Sequence, residues 1–296
     1  MPETQISPLL DPAFLRRLEQ LQLVARRVLK GQHHGERRSL ARGHSVEFAD
    51  FRNYSVGDDL RYLDWNLYAR LEKLFLKLYE EEQELRVTLF VDGSESMGFG
   101  TPSKLDAARR IAASLGYIAL SNFDAVGCVA LGEPNSTLRL IRNRRTASRL
   151  FSFLSDIHPT GQAGLNAGLR KHAVSVQRGG LAILLSDMLE PEGFESGLTA
   201  LQGRGCDLFV FHILAPDERK PDYSGDFRMV DSETGGTVEI SFPRSRLAAY
   251  EKSVAGWCES VRSLCRKRGI FYLPVGSDIR FEDVVLRTLR AAGALK

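Results

Sequence analysis

From residue 85 onward, short and nearly continuous apolar runs alternate with longer segments whose apolar residues recur at helical spacing. Residues 87–91, 125–131, 136–141, 180–187, 207–214 and 271–275 read as strands. Residues 103–121, 145–156, 165–177, 194–202, 244–268 and 281–292 read as helices. The 103–121 helix carries an apolar stripe through Leu105, Ala108, Ile111, Ala112, Leu115 and Ile118, and Ser103-x-x-Asp106 resembles a capping box at its start. A hairpin is expected over 227–230 and 237–240, turning at Gly235-Gly236. Strands that are apolar on both faces and alternate with helices predict a mostly parallel sheet covered by helices on both sides.

The first 84 residues have a different texture. Asp11 suits an N-cap and Pro12 the first helical position, and Phe14, Leu15, Leu18, Leu21, Val24 and Val28 keep helical spacing until Gly31. A helix over 12–30 is therefore expected, followed by a polar loop with His33 and His34. From Gly43 to Glu81 charged and aromatic residues are interleaved without a clear period, except that 74–79 reads as a strand. Such a segment is expected to wrap another domain, burying its aromatics and pairing its Arg and Asp residues. The expected division is 1–84 as helix and wrapping segment and 85–296 as the main domain.

Composition narrows the class. The chain has 296 residues, 43% hydrophobic content and a net charge of +3, which suit a globular protein and give little reason to expect nucleic acid. Cys128, Cys206, Cys258 and Cys265 have no metal-ligand spacing and read as reduced, mostly core thiols. No stretch approaches the roughly 20 apolar residues of a membrane span, and 1–8 lacks a signal pattern, so a cytoplasmic protein is expected.

The chemistry concentrates in one place. Leu89-Phe90-Val91 runs into Asp92-Gly93-Ser94-Glu95-Ser96, which sets one carboxylate and two hydroxyls on a tight loop at the carboxyl end of a buried strand. Asp187 ends a second such strand, and ligands of open α/β sheets bind at that end. Oxygen donors of this kind suit a hard divalent cation. The alternative is structural: Asp92 and Ser94 cap the segment after them, and Asp187 caps the next.

Asp92-x-Ser94-x-Ser96 resembles the first ligand loop of the metal-ion-dependent adhesion site of von Willebrand factor A domains. The resemblance implies a doubly wound, mostly parallel sheet with helices on both faces. It also implies Mg²⁺ (Mn²⁺ or Ca²⁺ being alternatives) held by Asp92, Ser94, Ser96 and Asp187, with an open position for an acidic side chain of a partner. The site normally also takes a Thr from an intervening loop. Here Ala163 aligns with that Thr, and Thr160 would serve only with a rearranged loop, which leaves metal occupancy open.

The segment before the first buried strand is similar to the signature of the "domain of unknown function 58" family. The matching residues are Gly43, Ser45, Glu47, Phe48, Arg52, Tyr54, Gly57, Asp58, Asp59, Arg61, Asp64, Trp65, Ala69, Arg70 and Glu81. The resemblance implies a non-enzymatic adaptor or chaperone-like partner of a MoxR-type AAA+ ATPase, acting with it on a client protein. Arg52, Arg61 and Arg70 are interleaved with Asp58, Asp59 and Asp64, which favours structural ion pairs over catalysis.

Two other classes compete. Arg139, Arg142, Arg144, Arg145 and Arg149, with Arg266-Lys267-Arg268, form basic clusters that a nucleic acid would neutralise. Asp92 and Asp187 would serve a metal-assisted hydrolase. Neither a nucleophile elbow nor a phosphate-binding glycine loop occurs. Loop histidines 33, 34 and 44 are expected to be solvated rather than metal ligands.

Overall fold

The computed structural model of the chain describes residues 9–24, 46–81, 84–132, 136–160, 164–176, 178–190, 193–221, 225–230, 236–242 and 244–295. By contacts they divide into two compact units. One takes the described residues within Met1–Gln32 and Leu85–Lys296, the other those within His33–Glu84. The first helix thus belongs to the larger unit, and the expected boundary after residue 84 applies only to the segment that comes after the helix.

The smaller unit is an antiparallel pair of strands, β1 (Val46–Asn53) and β2 (Phe75–Glu81). Strand β1 is not legible in the sequence, because its register shifts between Phe48 and Asp50 and the alternation of apolar and polar positions breaks there. Between the strands lie a 3₁₀ turn, Leu60–Tyr62, and a helix, Trp65–Leu71. Asp59 caps the turn through the Arg61 N–H, and Asp64 caps the helix through the N–H groups of Asn66 and Leu67. Among the aromatic residues of this unit Trp65 is 63% exposed, Tyr62 and Tyr68 are also exposed, and Tyr54 and Phe75 are half-buried. Strand pairing, the caps and the edge-to-face contacts of Phe51 with Phe75 and of Trp65 with Tyr68 hold this unit.

The larger unit is built on a six-stranded sheet. Its strands are β3 (Arg86–Asp92), β4 (Ala125–Leu131), β5 (Thr137–Ile141), β6 (Leu181–Ser186) and β7 (Asp207–Leu214). After a separate antiparallel hairpin of β8 (Gly225–Val230) and β9 (Thr237–Phe242) comes the sixth, β10 (Phe271–Gly276). The order across the sheet is β10-β7-β6-β3-β4-β5, and every pairing is parallel except β4 with β5. Of the expected hairpin turn at Gly235-Gly236, Gly235 lies outside the described residues.

Strand alternation divides the core in two. Val87, Leu89, Val91, Ile183, Leu185, Phe209, Phe211 and Ile213 face a cluster completed by the helices Pro12–Leu18, Lys104–Ser121 and Ala147–Ser155. Phe90, Ala182, Leu184, Leu208 and Val210 face a second cluster under the helices Leu165–Ser175, Glu195–Gly203 and Arg244–Lys267. The mixed α/β architecture with helices on both faces of a mostly parallel sheet is as the apolar runs imply. The last helical segment is less regular than its periodicity suggests: Phe281–Asp283 passes through a π turn at Val284–Thr288 into Leu289–Ala291.

The first helix is shorter than its periodicity predicts and ends at Leu18. Beyond it Leu21 and Leu23 are buried by extended pairing instead: Leu23 bridges Leu295, and the Val24 N–H donates to the Ala294 carbonyl. Tertiary pairing with the far end of the chain overrides helical spacing here. Val28 and Gly31 lie outside the described residues.

Among the described residues no helix is long and apolar enough to cross a membrane. Cys128, Cys206 and Cys265 are buried, Cys258 is half-buried, and all four are free thiols.

Candidate metal and partner site

The chain order of the sheet reverses at one place. After β3 the chain moves to β4 and β5 on one side, then returns to lay β6 against β3 on the other. At such a junction the loops leaving the two strands diverge and open a crevice at their carboxyl ends. Asp92 is the last residue of β3, Ser186 is the last of β6 and Asp187 follows it, with Val91 opposite Leu185 in the register. The expected residues are therefore brought together by the sheet itself.

The loop after β3 is fixed by its backbone. The Gly93 N–H donates to the Leu131 carbonyl (2.8 Å), and a Cβ at Gly93 would lie 2.9 Å from that same oxygen, so the position tolerates only glycine without movement. Ser94 then enters a 3₁₀ turn, Glu95–Gly98, in place of a direct passage into the helix.

Around this loop runs a buried polar chain. Asp92 Oδ1 accepts from the Ser94 N–H (3.0 Å) and its Oδ2 from the Ser186 hydroxyl (2.6 Å). The Ser94 and Ser96 hydroxyls are 3.1 Å apart, and Ser96 donates to Asp187 Oδ2 (2.8 Å). Asp187 Oδ1 accepts from the Leu189 N–H (3.0 Å). Asp92, Ser94, Ser186 and Asp187 are buried, and Ser96 is half-buried.

Lys104, which sequence reasoning missed, completes the chain. Its ammonium donates to Asp187 Oδ2 (2.7 Å) and to Glu218 Oε1, and its side chain is 0% exposed. Glu218 is itself anchored, since its Oε2 accepts from the Ala215 N–H (2.8 Å). A signal for Lys104 does exist in the sequence. A lysine at the first position of a helix sits at the positive end of the helix dipole, where it is disfavoured unless an anion faces it. Ser186 follows from strand alternation, whereas nothing in the sequence points to Glu218.

The electrostatics are unbalanced. Three carboxylates, Asp92, Asp187 and Glu218, face one ammonium. Burial, and next the charge of Asp187, push the Asp92 carboxyl up to about 6. His212, opposite Ser186 on β7, is pushed down to about 4 by burial; its Nδ1 lies 2.8 Å from the Tyr272 hydroxyl. Among the described residues no group of three or more His, Cys, Asp or Glu side chains is arranged to hold a metal. A cation here would depend on the Ser94 and Ser96 hydroxyls, on Asp92 and Asp187, and on water. The excess of negative charge and the all-oxygen donor set fit a hard cation.

Thr160 is tied to the same loop through its backbone, whose N–H donates to the Gly93 carbonyl (2.9 Å), while its side chain is exposed. Ala163 lies outside the described residues. The helix that begins at Leu165 has its first N–H capped by Glu190 Oε2 (2.6 Å).

A family model described as "Protein of unknown function DUF58" matches residues 50–256. The chain belongs to this family. It is similar to uncharacterized proteins of Mycobacterium tuberculosis and Mycobacterium bovis, each 27% identical over 96% of this chain and 92% of the relative. Among solved structures the chain is similar to the conserved hypothetical protein BatB from Bacteroides thetaiotaomicron, at 14% identity and TM-score 0.43 over 71% of this chain and 98% of that one. An aerotolerance-related membrane protein from Bacteroides fragilis matches at 17% identity and TM-score 0.41, over 70% and 97%.

The family signature residues that the structure describes lie in the smaller unit and do not form a catalytic cluster. Arg52 makes two bonds to Asp58 (2.8 and 2.6 Å), and Asp58 also accepts from the Ser55 N–H. Arg61 pairs with Asp59 (2.6 Å). Asp64 caps the helix Trp65–Leu71, and Arg70 lies in the last turn of that helix. Tyr54 donates its backbone N–H to the Leu74 carbonyl, and Gly57 has φ +105°, a conformation that favours glycine. Glu47, Phe48 and Glu81 lie on β1 and β2, their side chains outside the described set; Gly43, Ser45 and His44 lie outside the described residues, as do His33 and His34.

Of the basic clusters, Arg144 pairs with Glu19 (2.7 Å) and Arg268 with Glu195 (3.2 Å), so part of each is neutralised internally.

Proposed function

We propose that the chain is a non-enzymatic protein-binding module with a von Willebrand A-like fold, gripping an acidic side chain of a partner through a metal-dependent adhesion-type site. The observation that carries this reading is the convergence of Asp92, Ser94, Ser96 and Asp187 at the β3–β6 junction. Ser94 and Ser96 would hold the ion directly. Asp92 and Asp187, whose oxygens are already hydrogen-bonded, would act through water. Mg²⁺ bound there would supply a Lewis-acidic point with an open position for a carboxylate.

The rim supports a protein partner. Phe99 and Leu189 are exposed and come a few residues after Ser96 and Asp187, and Ile279, after β10, is exposed at the same end of the sheet. Apolar side chains around a polar centre suit a protein contact better than a small hydrophilic substrate.

The partner class we propose is a MoxR-type AAA+ ATPase with its client, on the strength of the family signature. Co-purification from the native source tests it, using wild type and the Ser94→Ala/Ser96→Ala variant. Recovery of an ATPase with wild type and its loss with the variant is expected; recovery of none sinks the partner assignment.

A further inference from the structure

The ammonium of Lys104 occupies a position that a bound cation would contest. It is fully buried, it shares Asp187 Oδ2 with the Ser96 hydroxyl, and its second partner, Glu218, is fixed independently by the Ala215 N–H. A divalent ion seated on Ser94 and Ser96 would place like charge within a few ångströms of that ammonium, in surroundings where water screens little. Two cations cannot both be neutralised by Asp187 at full strength. Glu218 offers the ammonium somewhere to remain, because it keeps one oxygen for Lys104 whether or not Asp187 does.

We infer that Lys104 is a resident counter-ion that competes with the divalent cation for Asp187, so that metal enters only as the ammonium shifts its weight from Asp187 to Glu218. This rests on the metal-site reading above and adds its regulation: the affinity of the site is set by the Lys104–Glu218 pair as much as by the ligands. Removing the positive charge strengthens metal binding, and removing the charge of Glu218, which leaves the ammonium only Asp187, weakens it.

The test is Mn²⁺ titration of the full chain, with free Mn²⁺ followed by electron paramagnetic resonance, on wild type, Lys104→Met, Glu218→Gln and Asp187→Ala. Folding of each variant is checked by circular dichroism. Lys104→Met should bind at least about tenfold more tightly than wild type, since a double and a single positive charge a few ångströms apart repel by that much even with the screening of bulk water. Glu218→Gln should bind more weakly, and Asp187→Ala least of all. Binding seen in Lys104→Met alone supports the inference equally. Wild-type binding with no gain in Lys104→Met overturns it while leaving the metal site standing. Should Lys104→Met not fold, equal or tighter binding by Glu218→Gln overturns it. Absence of Mn²⁺ binding in every variant overturns both the inference and the metal-site reading.

Discussion

Lys104 and Asp187 are buried together, Nζ 2.7 Å from Oδ2, with side-chain exposures of 0% and 1%. A buried pair adds little net stability over apolar residues, because both charges lose their hydration. Breaking it is another matter. Asp187→Ala leaves the ammonium with Glu218 alone and removes the acceptor of the Ser96 hydroxyl. We expect a loss of about 3 kcal/mol in urea unfolding, in line with buried pairs that lose one partner. The double change Lys104→Met/Asp187→Asn should cost clearly less than the two single changes added together, since both charges of the pair leave at once and only the Glu218 carboxylate, still held by the Ala215 N–H, loses a partner. Additivity would show that the two residues are not coupled.

Gly93→Ala should destabilise the protein by about 1–3 kcal/mol, the usual range for forcing an extra carbon into a packed site. The new carbon would meet the Leu131 carbonyl oxygen at 2.9 Å, and that oxygen already accepts the Gly93 N–H. A denaturation midpoint equal to wild type would mean that the loop yields without strain.

His212 and Asp92 should give opposite pH dependences. His212 titrates near 4 in the fold against 6.5 in the unfolded chain, so its contribution is full above pH 6.5 and is lost as pH falls towards 4. Asp92 titrates near 6 in the fold against 3.8 unfolded, so its contribution is full below pH 3.8 and is lost as pH rises through 6. The His212 contribution amounts to roughly 3 kcal/mol at full extent, since a tenfold change in proton affinity is worth about 1.4 kcal/mol. Between pH 4 and 6 the two contributions oppose each other. Relative to wild type, the stability of His212→Phe should therefore fall with rising pH in this window, and that of Asp92→Asn should rise. Parallel curves for all three proteins would contradict the assignment.

Arg52→Ala removes both bonds to Asp58 and frees the carboxylate that holds the Ser55 N–H. The expected outcome is faster hydrogen exchange at Ser55 and faster protease cleavage within residues 54–58, while exchange in β3 and β6 is unchanged. Unchanged protection at Ser55 would show that the turn is held by other contacts.

The architecture of the larger unit is largely legible in the sequence because its strands are buried on both faces. Asp207–Leu214 and Ala125–Leu131 have their bounds where the apolar runs end. Asp92 and Asp187 are legible as a pair because each closes such a run. Less regular segments are not. The Pro12 helix stops at Leu18 since Ala294 and Leu295 pair with Leu23 and Val24, and β1 hides behind its bulge. Lys104 is hard to single out because a lysine at a helix start is usually solvated. Glu218 lies far away in the sequence and is joined to the site only by folding.

That distance has a consequence for how the protein is made. The bonds that complete the polar chain join residues 94, 91 and 114 positions apart. No fragment ending before Glu218 can close the network: Asp92, Ser94 and Ser96 need only the residues through Asp187, whereas Lys104 needs Glu218 as well. Docking of β7 onto β6 therefore precedes closure of the Lys104–Glu218 bond.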